Sequence, residues 1–227
     1  MSAMLYNPAT AALFVLMFVA ARTLVDAEGK RWSRIPWAAL ALTVTAITGV
    51  LVQLLWSGAM DHFDSDPSKT GWWRPVTSVF MQNGGVSGTL WNLATLAIMA
   101  ALAEWIWGAP LMLALFAAGA LLPGHVDALV GITSVSSASR NFAGSSAATY
   151  FLGATVAAVL LLRTPAARER LLALAAPTLG LILWFAQDNA HGLVVVYGFV
   201  LGLAVALCGR AAVSMRRRIR VDHRQAG

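Results

Sequence analysis

Two hydroxyls and one imidazole stand at the ends of apolar runs in this chain, and together they could carry out acyl-transfer chemistry. Residues 141–154 read Asn-Phe-Ala-Gly-Ser-Ser-Ala-Ala-Thr-Tyr-Phe-Leu-Gly-Ala, where a polar stretch gives way to a long apolar one. Ser145 and Ser146 sit at the mouth of that run among small residues, which leave a hydroxyl accessible and let other backbones approach. His191 stands at the start of another apolar run, in Asp188-Asn189-Ala190-His191-Gly192. A serine hydroxyl is a poor nucleophile until a base accepts its proton, and histidine serves as that base without needing a third member. Attack on a peptide carbonyl leaves negative charge on its oxygen. Asn92 and backbone N–H groups at the start of the serine's helix could hold that charge. The bland reading of the same residues is helix packing for the serines, an interhelical hydrogen bond for Asn92 and a polar helix end for His191.

Such residues need a scaffold that brings them to one level. Of the 227 residues, 59% are hydrophobic and 11% charged, more apolar than a soluble domain of this size requires. Repeated apolar runs of about 20 residues predict transmembrane helices. Spans are expected at 5–21, 35–56, 88–107, 111–122, 144–162, 171–186 and 191–208. The first run lacks a basic leader and a cleavage site, so it reads as a retained span rather than a signal peptide. The organisation expected is an N-terminal helix and basic loop over 1–34, a membrane core over 35–210 and a basic tail over 211–227.

The polar connections carry the topology. The 57–87 connection holds Asp61, Asp64 and Asp66, then Gly71-Trp72-Trp73-Arg74-Pro75, whose Trp72, Trp73 and Arg74 suit an interfacial anchor. The 123–143 connection holds His125, Asp127 and Arg140, and both His62 and His125 read as loop histidines. Basic residues gather in the 22–34 loop (Arg22, Lys30, Arg31, Arg34), in the 163–170 loop (Arg163, Arg168, Arg170) and in the tail (Arg216, Arg217, Arg218, Arg220). Seven spans put all three clusters on one side, the cytoplasmic side of a plasma membrane, with the N-terminus outside and the C-terminus inside. The net charge of +6 therefore belongs to span ends facing anionic lipid and not to nucleic acid. One cysteine, Cys208, and four scattered histidines make no metal site, and no Gly-rich phosphate loop is present, so no metal or cofactor is expected.

Helix rise then sets depth. Ser146 lies 17 residues before Arg163 and His191 lies 19 before Arg210. At about 1.5 Å per residue both sit roughly 25–29 Å above the cytoplasmic ends of their spans. Asn92, 15 residues before Trp107, lies level or about one turn deeper.

These motifs, in this order, resemble the rhomboid family of intramembrane serine proteases, in a divergent branch of the kind found in actinobacteria. Trp73-Arg74-Pro75-Val76-Thr77 resembles the Trp-Arg-x-x-Thr motif of the rhomboid outer loop. Asn92 with Glu104 resembles the second core helix, Gly144-Ser145-Ser146-Ala147 the Gly-x-Ser-Gly nucleophile motif, and Ala190-His191 with Gly198 and Gly202 the last core helix. The resemblance covers roughly residues 35–210. It implies an all-α polytopic membrane protein with a six-helix rhomboid-like core plus one extra N-terminal span. It implies Ser146 as nucleophile, His191 as base, Asn92 as oxyanion donor and Tyr150 packed on the His191 ring. Gly198 and Gly202 would lie opposite Gly153 and draw the fifth and seventh spans together.

The chain also departs from the family. Gly88 stands where a histidine is usual, Gln82 stands roughly at another outer histidine position, and Ala147 replaces the final glycine of the nucleophile motif. Ser145 is the rival nucleophile, because it lies eight residues before Gly153. Ser146 is preferred, because Gly144 lies two before it and Tyr150 four after it. The expected function is hydrolysis of a transmembrane protein substrate near the outer membrane face by a Ser–His dyad. The alternative is an inactive rhomboid-like protein that binds or scaffolds single-span partners. A solute transporter ranks last, since few charges lie in the spans and no two halves look alike.

Overall fold

A computed structural model describes residues 3–27, 34–66, 68–131 and 143–225, and their side chains except at 3–6, 128, 130 and 212–225. Glu28, Lys30, Arg31, Arg140 and Asn141 lie outside the described residues, and of the tail arginines only the backbone is described. The protein is all-helical among the described residues. The long helices are α1 (Ala3–Ala27), α2 (Trp37–Leu55), α5 (Gly85–Trp107), α6 (Ala109–Val130), α7 (Ser146–Arg163), α8 (Ala167–Gln187) and α9 (Ala190–Gln225). Two short helices, α3 (Ala59–Phe63) and α4 (Arg74–Thr77), and a 3-10 turn at Ser78–Phe80 fold the connection between α2 and α5. Among the described residues seven helices are long and apolar enough to cross a membrane, so the chain is a multi-pass membrane protein.

Helix α7 is the axis of the bundle. Of its spanning segment 72% is buried, against 39% or less for every other span, and each residue from Ala148 to Leu160 is buried. Small and β-branched residues make this possible, because they let neighbouring backbones come close. Helix α9 runs alongside α7 in the same direction. A Cβ placed on Gly198 would lie 2.3 Å from the Phe151 carbonyl oxygen, and one on Gly202 would lie 2.5 Å from the Thr155 Cα. Gly153 does not face this seam, contrary to the sequence expectation. Two residues on from Phe151 is about 200° around a helix, and a Cβ there would meet Met17 of α1 and Met99 of α5, each at 3.1 Å. At the far end the Arg210 guanidinium donates to the Leu162 carbonyl. The outside of the bundle is apolar, with Leu54, Leu55 and Phe185 more than three-quarters exposed, as lipid demands.

Several element ends differ from the sequence expectation. Helix α6 runs on through Pro123 to Val130 and ends at Gly131 in the left-handed conformation. The proline suggests a stop, yet membrane helices tolerate proline where neighbours re-satisfy the backbone, and the true terminator is the glycine past the end. His125 is thus a helix residue bonded to the Leu121 carbonyl, and Asp127 accepts a 2.7 Å hydrogen bond from Tyr197 of α9. His62 sits on α3 and packs edge-on against Phe63. Helix α1 extends well past the 5–21 run, and α8 begins at Ala167.

At the end of the bundle opposite the serines, Glu104 of α5 caps α2. Its carboxylate accepts the Ala39 N–H at 2.7 Å and the Ala38 N–H at 3.4 Å. Helix α2 has no side-chain cap of its own, since Pro36 stands at that position. A carboxylate there satisfies orphan N–H groups and meets the positive helix end. Glu104→Ala is expected to cost about 1 kcal/mol, the usual worth of a cap, read as a lower melting temperature in detergent; an unchanged melt would remove the cap from the account of stability.

Candidate active site

The site forms where α7, α9, α5 and α1 meet at the end carrying Ser146. The α8–α9 connection is two residues long. Asp188 takes the left-handed conformation (φ 52°) that aspartate tolerates, and Asn189 follows as the cap of α9. The Asn189 Oδ1 accepts the backbone N–H of His191 at 3.1 Å, the ordinary geometry of an asparagine cap. The same oxygen lies 3.3 Å from His191 Nδ1. On the other side of the ring, His191 Nε2 lies 3.0 Å from Ser146 Oγ.

These contacts fix the proton positions. A backbone N–H can only donate, so the Asn189 atom facing it is oxygen. That oxygen can only accept, so His191 Nδ1 carries the ring proton. In the neutral ring the Nε2 atom then carries no proton and accepts the Ser146 hydroxyl proton, the tautomer a general base needs. Asn189 is fully buried, and its Nδ2 donates to Thr10 Oγ1 of α1 at 2.9 Å. Tyr150 lies one turn below Ser146 on the same face. Its ring stands edge-on to His191 with centroids 5.0 Å apart, and its hydroxyl donates to the Thr10 carbonyl at 2.9 Å.

Ser145 is placed differently. It is fully buried, and its Oγ accepts a long 3.4 Å hydrogen bond from Gln82 Nε2. Successive residues of a helix point about 100° apart, so only one of two adjacent serines can face the imidazole, and here it is Ser146.

A set of amides lines the neighbouring wall. Gln53 of α2 accepts the Gln82 backbone N–H at 2.7 Å and donates to the Gln82 carbonyl at 3.0 Å. Gln82 is thereby pinned, and its Oε1 accepts from Asn92 Nδ2 at 2.8 Å. Gly144 has a positive φ of 136°, and its N–H donates to the Ser78 carbonyl at 2.9 Å. A Cβ on Gly144 would lie 3.7 Å from Asn92 Nδ2, 3.9 Å from Gln82 Oε1 and 3.9 Å from Ser146 Oγ. Three polar atoms therefore surround one point above Gly144, beside the first N–H groups of α7, which a helix leaves without internal partners. Asn92 is at the level of the serines, next to Gln82. At Gly88 an added Cβ would meet nothing within 4 Å.

Trp73 and Arg74 organise the connection between α2 and α5. The Arg74 guanidinium turns inward, bonding Asp64 at 3.0 Å and the carbonyls of Asp61 and Thr70, each also at 3.0 Å. It is a strut of the loop rather than a lipid-facing anchor, because the carboxylate and carbonyls satisfy its charge internally. Trp73 stacks on His62 with centroids 6.2 Å apart, while Trp72 is 87% exposed and free to meet an interface. Lys69 bridges Asp61 and Asp64, both at 2.7 Å. Its hydrogen bond to Asp61 holds that carboxyl below the usual range, and the same two carboxylates raise the Lys69 ammonium.

Sequence reading named Ser146, His191, Asn92, Tyr150 and Gly144, which the structure gathers within one region. It missed Asn189, Thr10 and Gln53 as parts of that region, and it noted Gln82 only as roughly an outer histidine position of the family. Asn189 was findable, because an asparagine just before an apolar helical run is a cap signal; Thr10 and Gln53 carry no local signal. Among the described residues no three His, Cys, Asp or Glu side chains gather closely enough to hold a metal ion. No protein-family model matches the chain, and no curated protein matches it.

Proposed function

We propose that this protein is an intramembrane serine protease of the rhomboid type, cutting transmembrane proteins near the outer face of the plasma membrane. The observation that carries the reading is the 3.0 Å Ser146–His191 pair, with the imidazole held by Asn189 in the tautomer of a base. In the reaction His191 takes the Ser146 proton as Oγ attacks the scissile carbonyl. Asn92, which has a second N–H beyond the one given to Gln82, holds the oxyanion together with the first N–H groups of α7. His191 returns the proton to the leaving amine. Water, activated by the same imidazole, then hydrolyses the acyl-enzyme. The order of the motifs and the basic clusters on the opposite side support this placement, with the C-terminus in the cytoplasm.

Gly88 and Ala147 favour a second reading, a rhomboid-like protein that binds single-span partners without cutting them. Gln82, roughly at another outer histidine position, keeps a polar group on this wall, where its buried amide braces Asn92. The test is reconstitution in liposomes with a single-span reporter carrying a helix-breaking segment at its outer boundary. Wild type is expected to cut it and His191→Ala to lose at least about 10³-fold in rate. A reporter that binds the wild type and stays intact would overturn the protease reading in favour of the binding one.

A further inference from the structure

We infer that Thr10 is a positioning residue for His191, so that the N-terminal helix α1 is a working part of the active site. This rests on reading His191 as the base, and it goes beyond that reading by giving a role to a helix other than those that hold Ser146, His191 and Asn92. Thr10 touches both groups that orient the imidazole. Its hydroxyl oxygen accepts from Asn189 Nδ2 at 2.9 Å, and its carbonyl accepts from the Tyr150 hydroxyl at 2.9 Å. The first contact reinforces the orientation of the Asn189 amide that the His191 N–H sets. With an acceptor held at Thr10, the NH2 group points to α1 and the oxygen points to His191 Nδ1. The second contact braces the ring that stands edge-on to His191, 5.0 Å away.

Helix α1 is well placed to act as a fixed support. Leu13, Met17, Ala20 and Ala21 are fully buried, and Phe14 packs against both Trp91 of α5 and Tyr150 of α7, at 5.7 and 6.2 Å. Replacing the Thr10 hydroxyl by a methyl removes the acceptor and leaves the Asn189 amide group facing an apolar neighbour. A buried amide left without a partner turns to find one. The His191 N–H opposes that turn, but the amide held from one side only loosens its oxygen from Nδ1, and the imidazole then exchanges between tautomers.

The test uses the full chain in detergent with ¹⁵N-labelled histidine and a fluorophosphonate probe. Assigning the His191 resonances by difference with His191→Gln, the wild type is expected to show a protonated Nδ1 and a bare Nε2. Thr10→Ser keeps the acceptor, and should keep this tautomer and the labelling rate within about threefold. Thr10→Val should show mixed tautomers and label about 10- to 100-fold more slowly, the cost of a misplaced catalytic group. Thr10→Ala removes the same acceptor with less crowding and serves if the valine variant does not fold. A folded Thr10→Val or Thr10→Ala with the wild-type tautomer and rate would overturn the assignment. A wild type that takes no probe, yet whose tautomer changes with Thr10, would sink the hydrolase reading and leave the positioning role standing.

Discussion

Ser146→Ala abolishes covalent labelling by a fluorophosphonate probe, while Ser145→Ala loses less than about tenfold. This is the expected result of placing two adjacent hydroxyls in different surroundings. The Ser146 oxygen has the bare imidazole nitrogen 3.0 Å away, whereas the Ser145 oxygen faces Gln82 at 3.4 Å in a fully buried position. Removing an activated nucleophile costs on the order of 10⁴- to 10⁶-fold, because no other group can form the covalent bond. Removing the Ser145 hydroxyl costs one long hydrogen bond, about 1 kcal/mol or less. A Ser145→Ala variant that fails to label while Ser146→Ala labels normally would reverse the assignment. Labelling that survives both substitutions would place the reactive group elsewhere in the chain.

The second large effect is expected far from the chemistry. Gly198→Ala puts a methyl 2.3 Å from the Phe151 carbonyl oxygen and 2.9 Å from that residue's carbonyl carbon and Cα. Those neighbours are backbone, so no side chain can swing aside. Helices α7 and α9 must part, and overpacking of this kind costs about 1–3 kcal/mol. The serine and the imidazole sit on the same two helices, so the parting also stretches their hydrogen bond. A misplacement of about 1 Å lowers labelling by about 10²-fold. Gly209→Ala is the control on the same helix, since a Cβ there meets nothing within 4 Å. It should leave labelling and the detergent melt unchanged or slightly raise the melt. Equal behaviour of the two variants would mean that helix separation does not govern the pair.

What could be read from the sequence was what lies close along the chain or repeats along it. The apolar runs, the basic clusters and the matched heights of Ser146 and His191 all follow from hydropathy and helix rise. Element ends were less legible at Pro123, where a rule drawn from soluble helices competes with the tolerance of a packed membrane helix. Gly153 was assigned to the wrong neighbour because spacing in sequence fixes the angle around a helix only when the partner face is known. Of the amide wall, Asn92 was legible and Gln82 roughly placed, but not the bonds that join them to Gln53. Gln53 and Gln82 are 29 residues apart, and a lone glutamine in an apolar helix looks the same whether it braces a site or a neighbouring backbone. Thr10 and Asn189, 179 residues apart, are a contact only the folded chain defines.

That separation has a consequence in time. A ribosome adds about 5–20 residues per second, so roughly 10–40 s pass between the synthesis of Thr10 and that of Asn189. Ser146 is made only 45 residues before His191, so for roughly 2–9 s of it the serine exists while the imidazole is still unmade. On the proposed reading the growing chain stays silent towards its membrane neighbours until the last long helix docks and brings His191 to Ser146 and Asn189 to Thr10.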